Sequence, residues 1–138
     1  IHKFCHAEKY SLNKVVCWGT GSPFREFLHV DDLARAVLFL LENWEPYSIS
    51  NSVLNENNYP LDFINVGTGK DISIFDLANK IAKLTGFKGE IIWDNSKPDG
   101  TPKKVLNIDR ITKLGWQASI SLDEGIIRTI NEYRENND

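Results

Sequence analysis

Cations carried on stiff loops are the residues in this sequence best suited to chemistry. Arg25 follows the turn Gly19-Thr20-Gly21-Ser22-Pro23, and Lys97, Lys103 and Lys104 flank a loop stiffened by Pro98 and Pro102. Trp18 stands just ahead of the first turn. Guanidinium and ammonium groups neutralise phosphates. A neighbouring indole can stack on a base or pack on a ribose. The combination suits an anionic ligand with a flat ring, such as a nucleotide diphosphate. A solvated basic loop beside a core Trp would use the same residue types, and those types alone leave both readings open.

Other constellations carry less. Tyr10-x-x-x-Lys14 has a dehydrogenase spacing, but that chemistry needs both side chains on one helical face, with Lys lowering the Tyr pKa. Asn13 and the apolar run after it end the helix too early. Gly67-Thr68-Gly69-Lys70 looks like part of a phosphate loop. The first Gly of that motif would fall at Ile64, however, and Asp71 follows the Lys where Ser or Thr is needed. Gly19-x-Gly21 and Gly67-x-Gly69 both lack the third Gly of a dinucleotide fingerprint. Neither ATP nor a dinucleotide pyrophosphate is assigned to these residues. His29 beside Asp31 and Asp32 reads as structural, and no Ser/His/Asp or Cys/His set is supported. His2, Cys5 and His6 lack a further ligand at a useful spacing, so no metal site is expected.

Composition sets the outer bounds. The chain has 138 residues, 41% hydrophobic and 25% charged. That range excludes a disordered tail, a collagen-like repeat and a coiled coil. Net charge is -3, from 16 basic and 19 acidic side chains, without a basic block. No nucleic-acid partner is expected on that footprint. The longest apolar run, Ala36-Val37-Leu38-Phe39-Leu40-Leu41, falls far short of the ~20 residues that span a bilayer. No membrane partner is expected either. Cys5 and Cys17 form no C-x-x-C pair, which fits reduced thiols and a cytoplasmic location. The sequence contains no methionine and opens without a cap signal, so the expectation is a piece of a longer protein.

The elements that must position these residues alternate α and β, without an internal repeat. Residues 1–10 read as the end of a helix. Lys14–Gly19 holds a short apolar strand, and Arg25–Val30 reads as a second. Asp31 is expected to cap a helix from about Asp32 to Asn43. That helix is apolar around nearly its whole circumference, so its burial calls for more partners than this chain offers. Glu45–Leu61 is a long polar loop. Asp62–Val66 reads as a strand, expected at the edge of a parallel sheet. Ser73 and Asp76 form an acidic capping box for a helix with one apolar stripe, stopped by Gly86. Glu90–Trp93 and Lys104–Ile108 read as strands. Asp109 caps a short helix ending at Gly115, and Ser121 with Glu124 opens the last helix.

The run Trp18-Gly19-Thr20-Gly21-Ser22-Pro23-Phe24-Arg25-Glu26-Phe27-Leu28-His29-Val30-Asp31-Asp32-Leu33-Ala34 resembles the C-terminal part of extended short-chain dehydrogenases that act on nucleotide sugars. Ile64-Asn65-Val66-Gly67-Thr68-Gly69 and Ser96-Lys97-Pro98-Asp99-Gly100-Thr101-Pro102-Lys103-Lys104 narrow the likeness to the GDP-L-fucose synthase family. These are NADP-dependent 3,5-epimerases and 4-reductases of GDP-4-keto-6-deoxy-D-mannose. The resemblance covers essentially the whole chain. It implies an α/β fold: the C-terminal substrate-binding portion of an extended Rossmann-type enzyme, lacking most of the Rossmann domain. Residues 62–85 would pack on that absent sheet. It also implies a homodimer, a GDP-sugar as ligand, and NADP held mainly elsewhere. By matching position, Arg25 and Trp18 are implied as substrate-binding, Lys104 as a basic residue near the GDP phosphates, and Asp99 as a hydrogen-bonding candidate. Lys3 falls where the family usually has an Arg, keeping the charge and losing the bidentate fork. Phe24 replaces a common Met. The family's catalytic residues have no counterpart in this segment.

Overall fold

The computed structural model describes residues 1–46, 54–60 and 63–137. The described elements are α1 (His2–Lys9), β1 (Lys14–Trp18), β2 (Phe24–Glu26), α2 (Val30–Asn43), β3 (Asp71–Ser73), α3 (Ile74–Thr85), β4 (Glu90–Asp94), β5 (Lys103–Lys104), α4 (Asp109–Lys113) and α5 (Leu122–Glu135). The chain divides into two compact units, each assembled from separated stretches.

The first unit comprises Ile1–Arg25, Asp71–Val105 and Ser121–Asp138. Here β1 runs parallel to β4, in register from Lys14↔Glu90 to Trp18↔Asp94. Phe4, Cys5 and Ala7 of α1, Val15 of β1, Ala78, Ile81 and Ala82 of α3, and Ile126 and Ile130 of α5 share one core with Phe87. Their spacings of three and four residues put each helix's apolar stripe on one face. The Ser73 hydroxyl accepts from the Asp76 N–H at 3.0 Å and donates to its carboxylate at 2.6 Å. Gly86, at φ 81°, closes α3 in the left-handed conformation. The Ser121 hydroxyl caps α5 through the Glu124 N–H, while the Glu124 carboxylate turns to Arg128 at 2.6 Å. A second, three-stranded sheet has the order β3-β2-β5.

The second unit comprises Glu26–Lys70 and Leu106–Ile120. Its core gathers Ala36, Ile111 and Trp116, with Leu28, Phe39, Leu40, Ile64, Val66 and Ile108 against them. One face of α2 joins this core. Val30, Leu33, Val37, Leu38 and Leu41 stay exposed, as expected for a helix with more apolar surface than its neighbours can cover.

Several expected boundaries are corrected. The N-cap of α2 is His29 rather than Asp31: its Nδ1 accepts from the Asp31 N–H at 3.2 Å, and Val30 is already helical. The strand expected at Arg25–Val30 is confined to Phe24–Glu26, because the chain then turns to reach that cap. The strand expected at Lys104–Ile108 ends at Lys104, because the Leu106 N–H donates to the Glu26 carboxylate and not to a neighbouring strand. Residues 63–66 form no strand: Ile64 and Val66 turn into the second core, and the Asn65 amide donates to the Asn107 carbonyl at 3.2 Å. Asp62 lies outside the described residues, as do 47–53 and 61 of the polar loop. In the rest of that loop, the Asn55 side chain accepts from the N–H groups of Asn57 and Tyr59. Asp109 lies in the first turn of α4 and is itself held by the Asn107 side chain at 2.9 Å.

Candidate functional site

β1 alternates its side chains between core and solvent, with Val15 buried and Trp18 left 68% exposed at the strand's end. Two ammonium groups flank this indole, Lys3 and Lys97, each with Nζ 5.9 Å from the ring centroid. That separation is within cation–π range. Lys3 reaches across from α1 and also donates to the Val16 carbonyl at 2.8 Å. Lys97 follows from the β1–β4 ladder. Asp94 pairs with Trp18, and the Asp94 carboxylate then accepts from the N–H and hydroxyl of Ser96, turning the chain back.

The turn after Trp18 depends on glycine. Gly19 and Gly21 sit at φ 74° and 77°, where a side chain is strained. A Cβ on Gly19 would strike the Asp99 carboxylate, and one on Gly21 would lie 2.7 Å from the Trp93 ring. The Asp99 carboxylate accepts from the Thr20 N–H at 2.9 Å and the Thr20 hydroxyl at 2.6 Å. These two donors, the hydroxyl first, hold its pKa below the usual carboxylate value.

β2 and β5 run parallel, pairing Phe24 with Lys103 and Arg25 with Lys104. The Phe24 N–H donates to the Pro102 carbonyl at 2.8 Å. Arg25 Nη1 donates to the Phe24 carbonyl at 2.6 Å, and its other terminal nitrogen lies 3.0 Å from where a Cβ on Gly100 would sit. Lys103 is already paired with Asp71 at 2.7 Å. Arg25 and Lys104 are therefore the like charges that share a rung. Like charges directly opposed on neighbouring strands are destabilising, and an anion bound between them would relieve the repulsion.

Two structural carboxylates were not legible in the sequence. Glu26 accepts from the N–H groups of Thr68, Gly69 (2.7 Å) and Leu106 (2.8 Å). Its burial works to raise its pKa, but the Leu106, Gly69 and Thr68 amides outweigh it and lower the value. In the Gly67–Lys70 turn that most resembled a phosphate cradle, the Thr68 and Gly69 amides are thus spent on a carboxylate and the Lys70 amide on the Thr68 hydroxyl. A Cβ on Gly67 would collide with that carboxylate. A turn with several unpaired N–H groups needs an acceptor, and that need was the available signal. The second carboxylate is Asp32, 1% exposed. It accepts from Ser119 N–H (3.1 Å), Ile120 N–H (2.8 Å), the Ser119 hydroxyl (3.1 Å) and Arg35 (2.6 Å). Burial works to raise its pKa, yet the two amides, Arg35 and the hydroxyl together lower it to about 2.

The remaining candidates separate in space or in role. Tyr10 follows the end of α1 and Lys14 opens β1, so the pair shares no helical face. Cys5 is buried and Cys17 half-buried, and desolvation raises both thiol pKa values. Lys3, Trp18, Arg25, Asp99 and Lys104 all belong to the first unit.

Comparison with known proteins bears on this arrangement. Residues 1–80 match the model of the NAD dependent epimerase/dehydratase family. The GDP-L-fucose synthase of Escherichia coli (strain K12) is 45% identical over 139 residues, spanning 100% of this chain and 41% of that protein. Probable GDP-L-fucose synthase 1 of Oryza sativa subsp. japonica is 41% identical over 136 residues, 99% of this chain and 37% of its own length. The crystal structure of a GDP-L-fucose synthetase from Naegleria fowleri bound to NADP aligns with a TM-score of 0.78 at 26% identity, covering 99% of this chain and 39% of that one. The chain thus spans about two-fifths of the length of the curated relatives named here. With the family model covering more than half of its residues, the chain belongs to the NAD dependent epimerase/dehydratase family.

Proposed function

We propose that this chain is the GDP-sugar-holding part of a GDP-L-fucose synthase. The whole enzyme would epimerise C3 and C5 of GDP-4-keto-6-deoxy-D-mannose and reduce its C4 ketone with NADPH. The observation that carries this reading is the shared rung of Arg25 and Lys104, in the same unit as an indole flanked by Lys3 and Lys97. Arg25 and Lys104 neutralise the diphosphate, with the guanidinium able to grip two oxygens at once. Trp18 offers its exposed face to the base or ribose. Holding both ends of the nucleotide orients the sugar for the reacting groups.

The Gly67–Lys70 turn does not suit a dinucleotide pyrophosphate, since its Thr68 and Gly69 amides are committed to Glu26. NADP is assigned to sequence outside these residues, and this segment alone is expected to be inactive. A homodimer and a cytoplasmic location complete the reading.

In the full-length enzyme, Arg25→Ala is expected to raise KM for the GDP-sugar by about tenfold or more, as for loss of a charge-assisted hydrogen bond. KM for NADPH should change far less. Equal effects on both would overturn the proposal. Competition among GDP-, UDP- and dTDP-sugars tests the nucleotide separately.

A further inference from the structure

β2 and β5 share only the Phe24↔Lys103 and Arg25↔Lys104 rungs. Phe24, Lys103 and Lys104 are exposed, so a pattern of alternating buried side chains does not set their register. The register is set instead upstream of both strands. The turn at residues 19–23 delivers β2, and the loop at 95–102 delivers β5. Asp99, in the second, accepts from the N–H and the hydroxyl of Thr20, in the first. The Ser22 N–H donates to that same hydroxyl at 3.1 Å, and the Ser22 hydroxyl lies 3.4 Å from the carboxylate. Gly19 lacks a Cβ where the carboxylate approaches, and Gly100, next to Asp99, lies against Arg25.

We infer that Asp99 is a positioning residue, whose carboxylate stitches the two loops together and so sets Arg25 against Lys104 for a nucleoside diphosphate. The inference rests on the reading of this site as a GDP-sugar site, and it gives Asp99 a different role from direct hydrogen bonding to the sugar. Both carboxylate oxygens are already engaged with Thr20.

The test uses the full-length protein and GDP as probe, titrated by calorimetry, alongside KM for the GDP-sugar and for NADPH. Asp99→Ala is expected to weaken GDP binding about tenfold, with KM for NADPH unmoved. The Thr20→Val/Ser22→Ala double variant should weaken it by a similar factor. Combining all three substitutions should add little, because each breaks the same stitch. Asp99→Asn, which keeps an acceptor for the Thr20 N–H, should recover part of the affinity, and it serves as the test variant if Asp99→Ala does not fold. Multiplying effects, reaching about a hundredfold in the triple variant, would mean that Asp99 touches the ligand itself and would overturn the inference. Unchanged GDP affinity in the Asp99 variants, with Arg25→Ala still impaired, would overturn the inference alone. Unchanged affinity in Arg25→Ala would overturn the site reading as well.

Discussion

Arg25 and Lys104 occupy one rung of a parallel strand pair, brought together from distant stretches of the sequence. Lys103 is paired with Asp71 at 2.7 Å. The carboxylate of Asp71 thus meets Lys103, the neighbour of the cation that faces Arg25.

That relationship predicts coupling. Arg25→Ala and Lys104→Ala should each weaken GDP binding in the full-length enzyme by about 1.5–3 kcal/mol. Their double variant should depart from additivity if the two cations share one anion, as proposed. Affinity should also fall as salt rises, and the salt dependence should flatten in the double variant. Calorimetry across a salt series checks both.

Lys3 invites a gain-of-function test. The resemblance implies an Arg at this position, and Lys3 stands 5.9 Å from the Trp18 ring. Lys3→Arg keeps the charge and adds a planar fork that can hold two oxygens. KM for the GDP-sugar should fall about threefold, with kcat little changed. Steady-state kinetics on the full-length enzyme would reveal it.

Asp32 makes stability depend on acid. Its folded pKa of about 2 lies below the ordinary 3.8. A carboxylate depressed in this way stabilises the fold above its unfolded pKa, and the contribution is lost as pH falls from about 4 towards 2. The difference amounts to about 2 kcal/mol. Asp32→Asn would confront an amide N–H₂ with the Ser119 and Ile120 donors. It should cost about 2–3 kcal/mol at neutral pH and flatten the acid limb of urea denaturation midpoints.

Glu26 should act in the same direction. Its pKa is lowered by the Leu106, Gly69 and Thr68 amides against the opposing effect of burial. Its contribution is thus present above the usual carboxylate pKa and fades as pH drops below it. Glu26→Gln removes one acceptor from a three-amide cluster and should cost about 1–3 kcal/mol. Hydrogen exchange should quicken at Thr68, Gly69 and Leu106 first, which distinguishes local loosening from global unfolding.

The helices were the most legible part of the fold. The Ser73–Asp76 box, the Gly86 stop and the Ser121 cap all stand where their residues implied. The clustering of cations and an indole around two stiff loops was also legible. The strand ends were not. β2 stops at Glu26 and β5 at Lys104, because the Glu26 carboxylate takes the Leu106 N–H that a longer ladder would have used. His29, and not Asp31, caps α2, and Asp32 is buried against Ser119 and Ile120.

By itself the sequence determined the α/β alternation, the helix ends at Ser73, Gly86 and Ser121, the glycine turns and the identity of the cations. All of these rest on signals within a few residues of one another, where capping, helical spacing and positive φ act. Only the tertiary structure decided that Arg25 faces Lys104, that Asp99 is engaged by Thr20, and that Glu26 and Asp32 are anchors. Each of these contacts joins residues far apart in the chain, and a carboxylate's type does not disclose which distant amide or hydroxyl will meet it.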